Sequence, residues 1–301
     1  MDKVSTKIKE LKEKKNAVIL AHTYQRPEIQ DVADFVGDSL DLSLKVKSSN
    51  AKIVVFCGVR FMAETAKLIS PEKTVLLPEL NAGCPMADMI TAEELRAIKK
   101  KYPDYAVVTY VNSTAEVKAE SDICCTSSNA VKIVSSIPKE KGIIFIPDVN
   151  LGSYVKAQLK RENMVLWPGH CSIHANITEE EVLALKAKHK EAVVFAHPEC
   201  KTQVLNHADY ILSTSAMIKK ASEIKEKQII IVTEQGILHP LKKNCPDKTF
   251  YAVQKAVCPN MKKTTIDLVL ESLELMQHDI VLEEVILKKA RRAVERMLEI
   301  V

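Results

Sequence analysis

Glycine is scarce in this chain, with seven among 301 residues, and no two lie close enough to form GxGxxG or GxxxxGKS/T. Backbone cradles for dinucleotides and nucleoside triphosphates therefore lack their main element. No run of eighteen or more apolar residues occurs, so nothing in the sequence spans a bilayer. The opening MDKVSTKIKELKEKKN is a charged helical pattern without the apolar centre of a secretory leader, and a cytoplasmic setting is the default expectation. No CxxC pair exists, which leaves a zinc ribbon or finger nothing to build on. In a reducing compartment the eight cysteines read as free thiols or metal ligands, not disulfides. The net charge of +4 is mild and scattered. It suits a small anionic substrate and gives no basic surface for nucleic acid.

What the sequence does contain is itself, three times over. Cys84, Cys171 and Cys258 follow one another at equal intervals of 87 residues. Around them recur AVILAHTY, AVVTYVNS and AVVFAHPE; then KIVVFCGV, GIIFIPDV and QIIIVTEQ. These Val- and Ile-rich runs read as buried strands ending in polar clusters. In ADFVGDSL, SDICCTSS and ADYILSTS, counting five residues on from Asp34, Asp122 and Asp209 gives Ser39, Ser127 and Thr214. Thr91 with Glu94, and Thr178 with Glu181, form capping boxes that open helices; Thr265 falls in register but lacks the glutamate. Strands alternating with helices predict an α/β fold of three homologous small units with parallel sheets around a pseudo-threefold axis. The boundaries fall at 1–88, 89–175 and 176–263. Residues 264–301 are expected to form amphipathic helices packing on the body through Val281, Val285, Ile286, Val294, Met297 and Leu298.

Ligands of open α/β sheets bind beyond the carboxyl ends of the strands, so three such units facing one centre bring Cys84, Cys171 and Cys258 together there. A single buried cysteine is usually core filler, which suits Cys57, Cys124 and Cys125. Cys200 and Cys245 have no counterparts in the other copies. Filler has no reason to repeat in register beside Gly83, Pro85, Pro168, Gly169 and Pro259. Three thiolates at close range demand a cation. A [4Fe–4S] centre normally takes four; three would leave one iron open to act as a Lewis acid in dehydration chemistry. The strand ends add His22, Tyr24, Tyr110, Asn112, His197 and Glu199, and His174 follows Cys171. Imidazole and carboxylate beside a metal can carry acid–base steps. Ser39, Ser127 and Thr214 read as helix N-caps, and a helix start is also an anion site.

The motifs HTY, GDSLDLS, GVRFMAETAK, NAGCPMAD, TYVNSTAEVKA, CTSSNA, WPGHCSIH, AHPEC, STSAM, VTEQG and CPNMK resemble the quinolinate synthase family of NAD biosynthesis over essentially the whole chain. The resemblance implies three α/β domains and a [4Fe–4S] cluster on Cys84, Cys171 and Cys258. It implies condensation of iminoaspartate with dihydroxyacetone phosphate to quinolinate, losing phosphate and two waters without net redox. It casts Tyr24 and Glu199 as the acid–base pair, and His22, Tyr110, Asn112, His174 and His197 as substrate-positioning groups. Of these, His22, Tyr110 and His197 count as catalytic too. Ser39, Ser127 and Thr214 become anchors for carboxylate or phosphate. It leaves room for a partner that supplies iminoaspartate. Two rival readings share the cysteines: another [4Fe–4S] hydro-lyase, and an iron–sulfur sensor, whose only candidate basic surface is KKARR at 288–292.

Overall fold

The computed structural model describes residues 3–300; Met1, Asp2 and Val301, the outermost positions of the first and last predicted segments, lie outside the described residues. Three four-stranded sheets form. The first contains β1 (Ala17–His22), β2 (Phe35–Gly37), β3 (Ile53–Cys57) and β4 (Thr74–Leu76). The second contains β5 (Ala106–Tyr110), β6 (Ile123–Cys125), β7 (Ile143–Ile146) and β8 (Met164–Leu166). The third contains β9 (Val193–Ala196), β10 (Tyr210–Ile211), β11 (Gln228–Val232) and β12 (Thr249–Ala252). Every pairing is parallel, and the orders β2-β1-β3-β4, β6-β5-β7-β8 and β10-β9-β11-β12 are the same order three times.

The sequence explains this architecture. A parallel strand needs a long crossover to reach its neighbour, and helices on both faces bury it, so continuous apolar runs replace polar alternation. Ile143, Ile144, Phe145 and Ile146 are all fully buried. The recurring aspartates close each unit in the same way. Asp34 accepts the N–H of Ile19 at 2.8 Å, Asp122 that of Val107 at 2.8 Å, and Asp209 that of Val194 at 2.7 Å. A charge-assisted bond of this kind is worth about 1.5–3 kcal/mol. It ties the chain entering the second strand of each sheet to the middle of the first.

Both capping boxes form, opening helices Ala92–Lys101 and Glu179–Lys188, while Thr265 caps helix Ile266–Leu275 alone. That last helix lies on helix Lys3–Lys15 and β3. Helix Glu284–Glu299 packs on helix Ala115–Ala119, β6 and helix Arg60–Ile69, clasping the first two units. Its buried face is Ala290, Ala293, Val294, Met297 and Leu298. Val281 and Val285, assigned to that face from the sequence, are instead 81% and 63% exposed. Val281 precedes the helix and Val285 sits in its first turn, before it meets the body. Within KKARR, Lys288 pairs with Glu284 and Arg291 with Glu295, so the run is a helix face with its own counter-ions.

Candidate active site

In each sheet the chain leaves the first strand to one side and returns on the other, so the carboxyl end of that strand lies at a topological switch point. His22 ends β1, Tyr110 ends β5, and His197 directly follows β9. All three line a cavity of about 140 Å³. Every other residue nominated from the sequence lines it as well: the hydroxyls Ser39, Ser127 and Thr214; Tyr24, Asn112, His174 and Glu199; and Cys84, Cys171 and Cys258.

One network crosses the walls between units. The Tyr24 hydroxyl lies 2.6 Å from Thr233 Oγ1 and accepts from Thr214 Oγ1 at 3.2 Å. Thr233 Oγ1 also meets His174 Nε2 at 2.8 Å. On its other side, His174 Nδ1 sits 2.7 Å from Glu199 Oε2 and 3.2 Å from Cys171 Sγ. His197 stacks on His174 with 4.7 Å between ring centroids, and its Nε2 meets Ser127 Oγ at 3.2 Å. Gly236 permits the closest approach in this network. A Cβ there would stand 2.7 Å from the Cα and carbonyl carbon of Tyr24.

Burial sets the electrostatics. It lowers His22 to about 4, only partly opposed by Asp38, so this imidazole is neutral at pH 7. It raises Tyr24 and Tyr110, with the Glu199 charge adding to the effect, and both keep their phenolic protons. Glu199 is 3% exposed. Burial alone would favour its neutral form, but His174 and His197 outweigh that and hold the carboxyl well below its ordinary value. Its Oε1 has no partner, nor has Asn112 Oδ1. Two buried acceptors are thus free beside the cavity, an arrangement that calls for a ligand bearing donors.

Two of the cysteine loops are built alike. Cys84 immediately precedes the turn Pro85–Asp88 and Cys171 the helix Ser172–Ala175, and a backbone N–H closes back on the carbonyl of each, Ala87 on Cys84 at 2.9 Å and Ala175 on Cys171 at 2.8 Å. Burial pushes Cys84 up to about 12 and raises Cys171 and Cys258 too, so bare thiols stay neutral. Three soft donors from three loops around one cavity fit an iron–sulfur cluster. A different group, Cys171, His174 and Glu199, also has its ligand atoms within 4.8 Å of one another. Ligands about 2.1 Å from a tetrahedral zinc stand about 3.4 Å apart. The 2.7 Å between His174 and Glu199 is a hydrogen-bond length instead.

The hydroxyl positions need a correction. Ser39 and Thr214 are not N-caps but the first residues of helices Ser39–Ser48 and Thr214–Glu223; Asp38 and Ser213 cap them. Ser127 lies in the turn before helix Ala130–Ser135, whose cap position is Asn129. Asp38 and Ser213 do the capping in the first and third copies, Asn129 makes no side-chain cap bond in the second, and the three hydroxyls line the cavity.

Residues that sequence reasoning passed over complete the site. Asp38 joins all three units: its Oδ1 accepts from the N–H groups of Leu40 and Asp41, and its Oδ2 from Ser128 Oγ at 2.7 Å and Ser213 Oγ at 3.3 Å. Thr233 carries the Tyr24–His174 link. Asp148 and Glu234 accept the backbone N–H groups of Cys171 and Cys258, each at 3.0 Å. The last two stand at one position of the recurring GIIFIPDV and QIIIVTEQ, and that register was the signal.

A cavity lined by all three α/β units, with a carboxylate held toward its ionised form, a neutral imidazole and protonated phenols on its wall, has the acid–base groups of an enzyme. A family model described as quinolinate synthetase A protein matches residues 6–299, and the chain belongs to that family. It is 51% identical over 301 residues to the quinolinate synthase of Caldicellulosiruptor saccharolyticus, covering 100% of this chain and 99% of the relative. To the quinolinate synthase of Dehalococcoides mccartyi strain 195 it is 53% identical over 298 residues, covering 99% and 98%. To quinolinate synthase 2 of Methanosarcina acetivorans it is 51% identical over 298 residues, covering 99% and 96%. Among the described residues no helix is long and apolar enough to cross a membrane.

Proposed function

We propose that this chain is a quinolinate synthase of NAD biosynthesis, acting in the cytoplasm. In this reading it condenses iminoaspartate with dihydroxyacetone phosphate, releasing phosphate and two waters. Cys84, Cys171 and Cys258 would hold a [4Fe–4S] cluster, and the observation that carries the reading is their placement on three equivalent loops around one cavity. The units are 1–88, 89–175 and 176–263, closed by 264–301, in a pseudo-threefold arrangement. When bound, the cluster supplies an open iron that acts as a Lewis acid toward a substrate oxygen or nitrogen.

The chain's own residues do the rest. Glu199, held ionised by His174 and His197, takes a proton through its unpartnered Oε1. Tyr24, whose phenol keeps its proton, returns one to a departing oxygen. Neutral His22 and the Tyr110 hydroxyl orient the substrates, and Asn112 Oδ1 accepts from an amine or hydroxyl. Ser39, Ser127 and Thr214 anchor anionic oxygens through their hydroxyls.

The test is anaerobic purification, iron and sulfide analysis, and assay for quinolinate from the two precursors. About four irons per chain are expected. Glu199→Gln should keep the iron and lose about 10²–10⁴-fold in turnover. Near wild-type turnover in that variant overturns the acid–base assignment. Turnover of a single hydroxy acid instead of the two precursors overturns the substrate assignment.

A further inference from the structure

The three cysteine loops are equivalent in sequence register, but they are not held equivalently. Asp148, fully buried, accepts the N–H of Leu151 at 2.7 Å through Oδ1 and that of Cys171 at 3.0 Å through Oδ2. Glu234, fully buried, accepts the N–H of Gly236 at 2.6 Å through Oε2. Its Oε1 accepts the N–H of Cys258 at 3.0 Å and the Lys262 ammonium at 2.9 Å. Each carboxylate therefore spans from the end of a third strand to the backbone of a cysteine more than twenty residues later.

The first copy has Gly58 at this position. A Cβ there would stand 2.8 Å from Met62 Sδ and 3.1 Å from Phe56 Cε1, so a side chain would have to displace Met62 and crowd the Phe56 ring. Its cysteine loop is tied by the Arg60 N–H to the Ala82 carbonyl at 2.8 Å, and by Lys263 Nζ to the Asn81 carbonyl at 2.7 Å.

The carboxylates are electrostatically wrong for helping a thiol ionise. A negative charge beside sulfur disfavours thiolate. What they supply is position: two acceptor oxygens in a water-free interior, each occupied by a backbone N–H. We infer that Asp148 and Glu234 are positioning residues that fix the backbone of Cys171 and Cys258 so that both sulfurs meet the cluster without reorganisation, while the Cys84 loop is placed without such a carboxylate. This rests on the iron–sulfur reading above. A carboxylate is needed because an amide offers one oxygen and one NH₂, and would turn a donor against one of the two N–H groups. Partners that orient metal ligands typically matter by about 10–100-fold in metal affinity.

The experiment compares wild type, Asp148→Asn and Glu234→Gln, each reconstituted anaerobically with iron and sulfide in the full chain. The readout is the rate at which iron passes to a ferrous chelator, with the electron paramagnetic resonance spectrum of the reduced protein alongside. Asp209→Asn serves as the control: it removes a carboxylate acceptor at the equivalent of no cysteine loop, where Asp209 holds only Val194. The two site variants should release iron about tenfold faster or more, with an altered spectrum, and the control should match wild type. Release within twofold of wild type in both variants, with a full complement of iron in wild type, overturns this inference and leaves the cluster reading standing. Equal acceleration in the control overturns it also, as general loosening. Wild type that takes up no iron overturns both. Should the amides prevent folding, Asp148→Glu and Glu234→Asp, which keep two oxygens but move them by one methylene, carry the same comparison.

Discussion

His22 offers the sharpest quantitative test of the site's dryness. Burial holds its imidazole at about 4 against an ordinary value of 6.5, with Asp38 pulling upward and His197 and Lys262 downward. Between those values the unfolded chain binds a proton that the folded chain refuses. Stability therefore falls as pH drops below about 6.5 and levels off near pH 4. The whole gap corresponds to about 3 kcal/mol, at about 1.4 kcal/mol per pH unit, and roughly 2–3 kcal/mol of it lies above pH 4.5. His22→Asn keeps an acceptor for the Tyr24 N–H, which His22 Nδ1 takes at 3.1 Å, and has nothing to titrate. Urea unfolding of the iron-free protein at pH 7 and at pH 4.5 measures the difference. Wild type should lose about 2–3 kcal/mol more than His22→Asn over that interval. Parallel losses would refute the reasoning, because they would mean that His22 titrates normally and that water reaches it.

Cys171→Ala should abolish iron retention and quinolinate formation together, whereas Cys57→Ala, on the buried strand β3 away from the cavity, should keep both; iron and sulfide analysis with the precursor assay decides. Gly236→Ala forces a methyl to within 2.7 Å of the Tyr24 backbone. Overpacking of this kind destabilises by about 1–3 kcal/mol, and the displaced phenol should lower kcat tenfold or more, as thermal melting and steady-state kinetics would record. Asp38→Ala removes a helix cap worth about 1 kcal/mol and strands Ser128 and Ser213, for a total loss of about 2–4 kcal/mol in denaturant unfolding.

The frame of the fold was legible because it repeats. Val- and Ile-rich runs recur at fixed spacing, and only a strand covered on both faces needs such runs. The recurring aspartates gave the register for the three hydroxyls, although their acceptor role toward Ile19, Val107 and Val194 emerges only when strands are paired. The caps were misplaced by one residue at Ser39 and Thr214, since Asp38 and Ser213 are equally good capping residues and register alone cannot choose between neighbours. Val281 and Val285 were assigned to a buried face because apolar spacing says which residues share a helix face, not where the helix meets the body. Asp148, Glu234 and Thr233 escaped notice for a different reason. Asp148 and Glu234 share a register position, but the first copy has Gly58 there and breaks the triplet; the partners of Thr233 lie far along the chain and leave no pattern in side-chain types. The cysteine triplet was visible because its spacing is a property of the chain; the loops' unequal supports are a property of packing.

Each unit touches both of the others: Glu64 of the first accepts from Ala115 of the second, His174 of the second meets Thr233 of the third, and Tyr24 of the first meets Thr233 as well. A stacked array of repeats can lengthen by one because every member has a free end. Here no end is free. A fourth copy inserted in tandem would have no face to occupy, and a lost copy would open the chamber to solvent, so the number of copies is locked while their sequences remain at liberty to drift apart.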